Sequence, residues 1–154
     1  MIDNCQDTLI DSVSTNSSCS PEQTIEIAKK LSNSLKAGDI VALEGPLGAG
    51  KTTFIKGLIA ALCFIDQNEI SSPTFTYLHI YPSQTPVHHF DLYRITSQEQ
   101  FLILGLNDHI NSNSISLIEW PDRAPSYTSC ANIHVQLSYT SPNERSIVIQ
   151  RKNA

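Results

Sequence analysis

The sequence predicts an α/β protein with a mostly parallel sheet and antiparallel edge strands, and three observations carry that expectation. A short β-branched run, IVALE (Ile40–Glu44), leads through a glycine-rich turn into TTFIKGLIAAL (Thr52–Leu62), whose apolar residues recur at helical spacing. ISLIEW (Ile115–Trp120) is short, continuous and apolar, the pattern of a buried parallel strand. NIHVQLSYT and RSIVIQRK, two runs separated by a turn about Ser141-Pro142-Asn143, read as an antiparallel hairpin.

Taken in order, residues 1–19 are polar and serine-rich, with Leu9, Ile10 and Val13 as the apolar hint, and read as either an edge strand or a loose arm. Ser20 caps the next element, Pro21 occupies its first turn, and Gln23 stands where it can return the capping bond. Ile25, Ala28, Leu31 and Leu35 line one face of this helix, which Gly38 is expected to stop. After the strand-turn-helix unit, Ser71–Tyr81 alternates as a half-exposed strand, and Pro86–Arg94 follows as a second one beyond the turn-like PSQTP. Ser97 caps a helix running to about Gly105, ahead of the Asn/Ser-rich stretch that precedes ISLIEW.

A chain of 154 residues is one domain's worth, so a single unit spanning residues 1–154 is expected. The net charge is −5, and no basic cluster is denser than Lys29-Lys30, so the footprint of an independent nucleic-acid binder is missing. Any RNA would be reached only indirectly, through a partner. Cys5, Cys19, Cys63 and Cys130 are widely spaced, without a C-x-x-C pair. There is no positive n-region and no stretch long and apolar enough to span a membrane. Reduced thiols and a cytoplasmic location follow as expectations.

The chemistry concentrates in LEGPLGAGKTTF, Leu43–Phe54. Glycine loses more backbone freedom on folding than any other residue, so a run of them needs a compensating use. Gly45, Gly50, Lys51 and Thr52 fit G-x-x-x-x-G-K-[ST], the phosphate-binding loop, in the strand-to-helix context that motif requires. In that geometry the amides of Gly48, Ala49, Gly50 and Lys51 turn inward around a phosphate, and the helix dipole adds positive potential. Lys51 would reach the β and γ phosphates, Thr52 would offer its hydroxyl to Mg²⁺, and Thr53 belongs to the same nucleotide-binding stretch.

Hydrolysis also wants an acid at the end of a neighbouring strand, to hold the metal or its water and to orient the attacking water. HHFD ends in Asp91 and SLIE in Glu119, both at the carboxyl edge where open α/β sheets bind ligands. Glu119 is assigned to the metal and its waters and Asp91 to the attacking water, although the two roles could be exchanged. Thr74, in SPTFT, is a hydroxyl of the kind that closes on γ-phosphate and Mg²⁺ in nucleotide hydrolases. Strand alternation points Trp120 away from Glu119. His89 shares a face with Asp91 and could orient it through a hydrogen bond. Arg94 and Arg123 could pair with the acids or with phosphate, or form surface ion pairs.

GxxGAGKTTF, SPTF, HFDLYR, LGL and IEWP, in that order and spacing, resemble the bacterial TsaE (YjeE) family over roughly Ser20–Asp122, including the SPEQT helix start. The resemblance implies a P-loop NTPase-like three-layer fold that binds ATP with Mg²⁺ and docks on the TsaB–TsaD protein pair, where hydrolysis serves the threonylcarbamoylation of adenosine in tRNA. It implies that Lys51 and Thr52 are nucleotide and metal ligands, that Thr74 is the switch threonine, and that Asp91 and Glu119 are the functional acids. It also brings Trp120 close to the phosphates and Thr24 near the base. The chain departs from the family in carrying Pro46 where an aspartate is usual, and APSYTS after IEWPDR. Two competing readings are a small-molecule kinase, which would normally carry an arginine-rich lid, and a non-catalytic docking module that ATP merely orders.

Overall fold

The computed structural model describes residues 10–152. Among them, seven strands form one sheet in the order β1-β7-β6-β2-β5-β4-β3. The strands are β1 (Ile10–Ser18), β2 (Ile40–Glu44), β3 (Leu78–Tyr81), β4 (Val87–Asp91), β5 (Ile115–Glu119), β6 (Ile133–Ser141) and β7 (Glu144–Lys152). β6, β2, β5 and β4 run parallel to one another, while β1, β7 and β3 pair antiparallel at the two edges. The expected sheet is therefore present, with its buried parallel strands at the centre. Residues 10–18 take the edge-strand alternative, paired with β7. Leu9 and the rest of the first nine residues lie outside the described residues.

Alternation along β4 and β5 splits the core into two clusters. Val87, Ile115 and Leu117 face one way, into a cluster with Phe54, Ile55, Leu58 and Ile59 of α2 (Lys51–Cys63) and Ala28 of α1 (Pro21–Ser32). Phe90 and Ile118 face the other way, against Phe101 of α3 (Gln98–Ile103), Leu106 and Ala124. Helical layers thus cover both faces, which is why β4 and β5 are buried at every position. Gly57 lets α1 and α2 approach: a Cβ there would lie 2.8 Å from Ala28 Cβ and 2.9 Å from the Ile25 carbonyl.

The first helix is shorter than its apolar spacing suggests. It starts as expected, with Ser20 Oγ accepting from Gln23 N at 3.1 Å and Gln23 Oε1 accepting from Cys19 N at 2.6 Å. It stops at Ser32 instead of Gly38, where the Ser32 and Ser34 hydroxyls donate to the carbonyls of Lys29 and Leu31 and offer the backbone a local alternative to further turns. The expected strand over Ser71–Tyr81 is paired only from Leu78; before it, Thr74–Tyr77 turn, with Tyr77 amide donating to Pro73 carbonyl and Tyr77 at φ 65°. No helix among the described residues is long and apolar enough to cross a membrane.

Candidate functional site

The glycine-rich loop leaves β2 beside β6 and re-enters the fold as α2. Gly45 is demanded by space: a Cβ would meet the Leu137 carbonyl oxygen of β6 at 2.5 Å. Gly50 caps α2 in the left-handed region, at φ 103°, a conformation that favours glycine. Lys51 is the first residue of α2 and is buried; its Nζ donates to the carbonyls of Gly45 at 2.6 Å and Pro46 at 3.0 Å. Pro46 lacks an amide, yet its carbonyl also accepts from Ala49 N at 3.1 Å, so it shapes the loop through its acceptor.

β4 and β5 deliver the two acids side by side. Asp91 and Glu119 are paired in the parallel register at the carboxyl ends of adjacent strands, on the α2 side of the sheet, and both are buried. Thr52 Oγ1 donates to Glu119 Oε1 at 3.0 Å, joining the loop to the acid of β5. Asp91 is held differently: Oδ2 accepts from Ser72 and Thr74 hydroxyls, each at 3.0 Å, and Oδ1 accepts from Tyr93 N at 3.0 Å. The segment ahead of β3 carries both hydroxyls to Asp91, Ser72 just before the turn and Thr74 at its start. Burial pushes the Lys51 ammonium below its ordinary pKa, and the negative charges of Glu119 and Asp91 oppose that shift.

Two details add to the readings from strand alternation. Trp120 packs against the Phe90–Ile118 cluster, on the side of the sheet away from Glu119 as expected, yet its ring also reaches the loop. It stands at φ 59°, which breaks the pleat, and its ring comes to 4.3 Å from Lys51 Nζ and 5.0 Å from the Tyr93 ring. His89 shares a face with Asp91 as expected, but its Nε2 lies 2.9 Å from Glu119 Oε2, on the neighbouring strand, while Asp91 accepts from Ser72, Thr74 and the Tyr93 amide. Neither nearby arginine pairs with an acid in the described residues: Arg94 stacks on Phe75 at 4.8 Å, and Arg123 donates to the Ile95 carbonyl at 3.3 Å.

Two cavities flank the loop and share Gly48, Gly50 and Thr53. One, about 350 Å³, lies over Lys51, Thr52, Thr74, Asp91, Glu119 and Trp120. The other, about 320 Å³, is bordered by Ala49 and Thr24, by Pro142 and Asn143 of the β6–β7 turn and by Arg145 of β7. Thr24 is buried, with its hydroxyl 2.7 Å from that of Ser18. A chain of phosphates over one cavity and a nucleoside in the other would fit this pair. The donor set beside Thr52, a hydroxyl and two carboxylates, is all oxygen and suits a hard cation such as Mg²⁺. Ser72, Tyr93, Ser18 and the β6–β7 turn were not singled out from the sequence. The Ser-x-Thr pair around Pro73 offered a signal for Ser72; the β6–β7 turn reaches the loop only because β6 pairs with β2.

Comparison with known proteins gives a consistent outcome. Residues 18–147 match the family described as threonylcarbamoyl adenosine biosynthesis protein TsaE. The chain is 42% identical over 125 residues to a tRNA threonylcarbamoyladenosine biosynthesis protein TsaE of Rickettsia felis, covering 80% of this chain and 72% of that one. The protein of the same description from Bacillus subtilis is 34% identical over 128 residues, covering 82% and 78%. The crystal structure of Bacillus subtilis YdiB superposes with a TM-score of 0.75 at 28% identity, covering 94% of this chain and 88% of the other.

Proposed function

Because the chain belongs to the TsaE family of tRNA threonylcarbamoyladenosine biosynthesis, we propose that it is a Mg²⁺-dependent ATPase of that process, acting on the TsaB–TsaD pair. The observation that carries the proposal is the convergence of two strand-end acids on one phosphate loop, with Glu119 bonded to Thr52 and Asp91 beside it in register. The TsaB–TsaD partnership and the indirect route to tRNA rest on the family resemblance.

In this reading the amides of Gly48, Ala49, Gly50 and Lys51 cradle the phosphates, and Lys51 exchanges its two loop carbonyls for β and γ phosphate oxygens. The Trp120 ring holds the ammonium in place as it does so. Thr52 and Glu119 would hold magnesium and its waters, and the bound ion would supply charge neutralisation for the phosphates. Asp91, aimed by Ser72, Thr74 and the Tyr93 amide, orients the attacking water and accepts its proton. Thr74, whose hydroxyl bonds Asp91 from the start of the Thr74–Tyr77 turn, couples that turn to the presence of the γ-phosphate. Adenosine lies against Thr24, Ala49 and the β6–β7 turn.

Single-turnover hydrolysis with and without TsaB–TsaD tests this. Phosphate should be released from ATP, faster with the pair, and Asp91→Asn and Glu119→Gln should lower the rate by about 10²–10⁴-fold, the range of a lost general base or metal-serving group, while nucleotide affinity changes little. No release of phosphate under either condition would leave a binding module and end the catalytic claim.

A further inference from the structure

We infer that His89 is a positioning residue that locks the Glu119 carboxylate in the orientation needed to serve magnesium; this rests on the reading of Glu119 given above. His89 lies in the middle of β4, fully buried on the α2 side of the sheet. Its Nε2 is 2.9 Å from Glu119 Oε2, and its Nδ1 is buried without a hydrogen-bond partner. An ionised carboxylate only accepts, so the ring proton belongs on Nε2, and Nδ1 is then a bare lone pair rather than an orphaned N–H.

Packing alone does not account for an imidazole there. A leucine or phenylalanine would fill a β4 position between buried neighbours without desolvating two ring nitrogens. The polar contact His89 makes is to Glu119, and it falls on the oxygen that Thr52 does not use. Two donors on two different oxygens fix the rotation of the carboxylate about its last bond. With His89 removed, Oε2 has no donor and the plane can turn, so Oε1 no longer keeps its aim at Thr52. The histidine therefore acts on the metal through another residue, as outer contacts to metal-holding groups commonly do.

Magnesium titrations of the full chain with a fluorescent ATP analogue test this, comparing the parent with His89→Leu and His89→Gln. Affinity for the analogue without magnesium should stay within about twofold, whereas the magnesium concentration giving half-maximal effect should rise about 10–100-fold in His89→Leu. His89→Gln, whose amide can donate from the place of Nε2, should recover most of that loss; a purely structural role would show instead as an equal loss of affinity with and without magnesium. Nitrogen-15 NMR of the imidazole, with no nucleotide present, should find the proton of His89 on Nε2. An unchanged magnesium dependence in His89→Leu, or a proton on Nδ1 in the parent, overturns the inference and leaves the nucleotide reading standing. A parent that binds no analogue at all removes the proposed function and the magnesium role of His89 together.

Discussion

Replacing Lys51 by Met separates the cost of the site from its use. The parent buries an ammonium at 5% exposure, and burial outweighs the attraction of Glu119 and Asp91, since the folded-state pKa lies below the ordinary 10.5. A lowered lysine pKa means that the folded chain binds the proton less tightly than the unfolded chain. The penalty is therefore fully present below the folded pKa and disappears as pH rises through the interval up to 10.5. Lys51→Met keeps the apolar stem and removes the charge, so at neutral pH the ligand-free variant should melt at or above the parent's temperature, with its advantage shrinking at alkaline pH. The liganded states should behave in the opposite sense. At nucleotide one hundred times Kd the parent gains about 2.7 kcal/mol, or roughly 5–11 °C in a chain of this size. Two charge-assisted bonds to phosphate are worth about 3–6 kcal/mol, so the variant's affinity should fall about 10²–10⁴-fold. At the same nucleotide concentration its shift should then be no more than about 2 °C. Differential scanning fluorimetry with and without Mg-ATP reads both effects. A variant that keeps the parent's shift would refute the cradle around Lys51, and one that melts well below the parent without ligand would refute the sign assigned to its burial.

Two further substitutions probe the packing that builds the site. Gly45→Ala forces a Cβ to 2.5 Å from the Leu137 carbonyl, in a strand paired on both sides, and should cost about 1–3 kcal/mol and lower Tm by roughly 2–12 °C; a parent-like Tm would show that the loop can leave β6 without penalty. Gly57→Ala sets helix propensity, worth about 1 kcal/mol in favour, against contacts of 2.8 and 2.9 Å with Ala28 and Ile25 that cost about 1–3 kcal/mol; urea unfolding should show a lower midpoint, and a higher one would mean that α1 yields easily.

Much of this molecule was legible locally. The glycine-rich strand-to-helix loop, the Ser20 cap, the buried run of β5 and the C-terminal hairpin are each specified within a dozen residues, because glycine spacing, capping side chains and apolar periodicity act over a turn or a strand. Asp91 and Glu119 could be picked out as strand-end acids for the same reason. Three-dimensional arrangement was needed to say what each acid touches. Adjacency of β4 and β5 sets Asp91 beside Glu119, whereas 28 positions separate them in the chain. Ser72, Thr74 and the Tyr93 amide hold Asp91, His89 reaches across to Glu119 on the neighbouring strand, and a left-handed residue brings Trp120 to Lys51. Periodicity describes one element at a time, and it fails where the backbone leaves the regular pleat or where a side chain reaches a partner on another strand. Those partnerships depend on which strands are neighbours, a property of the folded sheet as a whole.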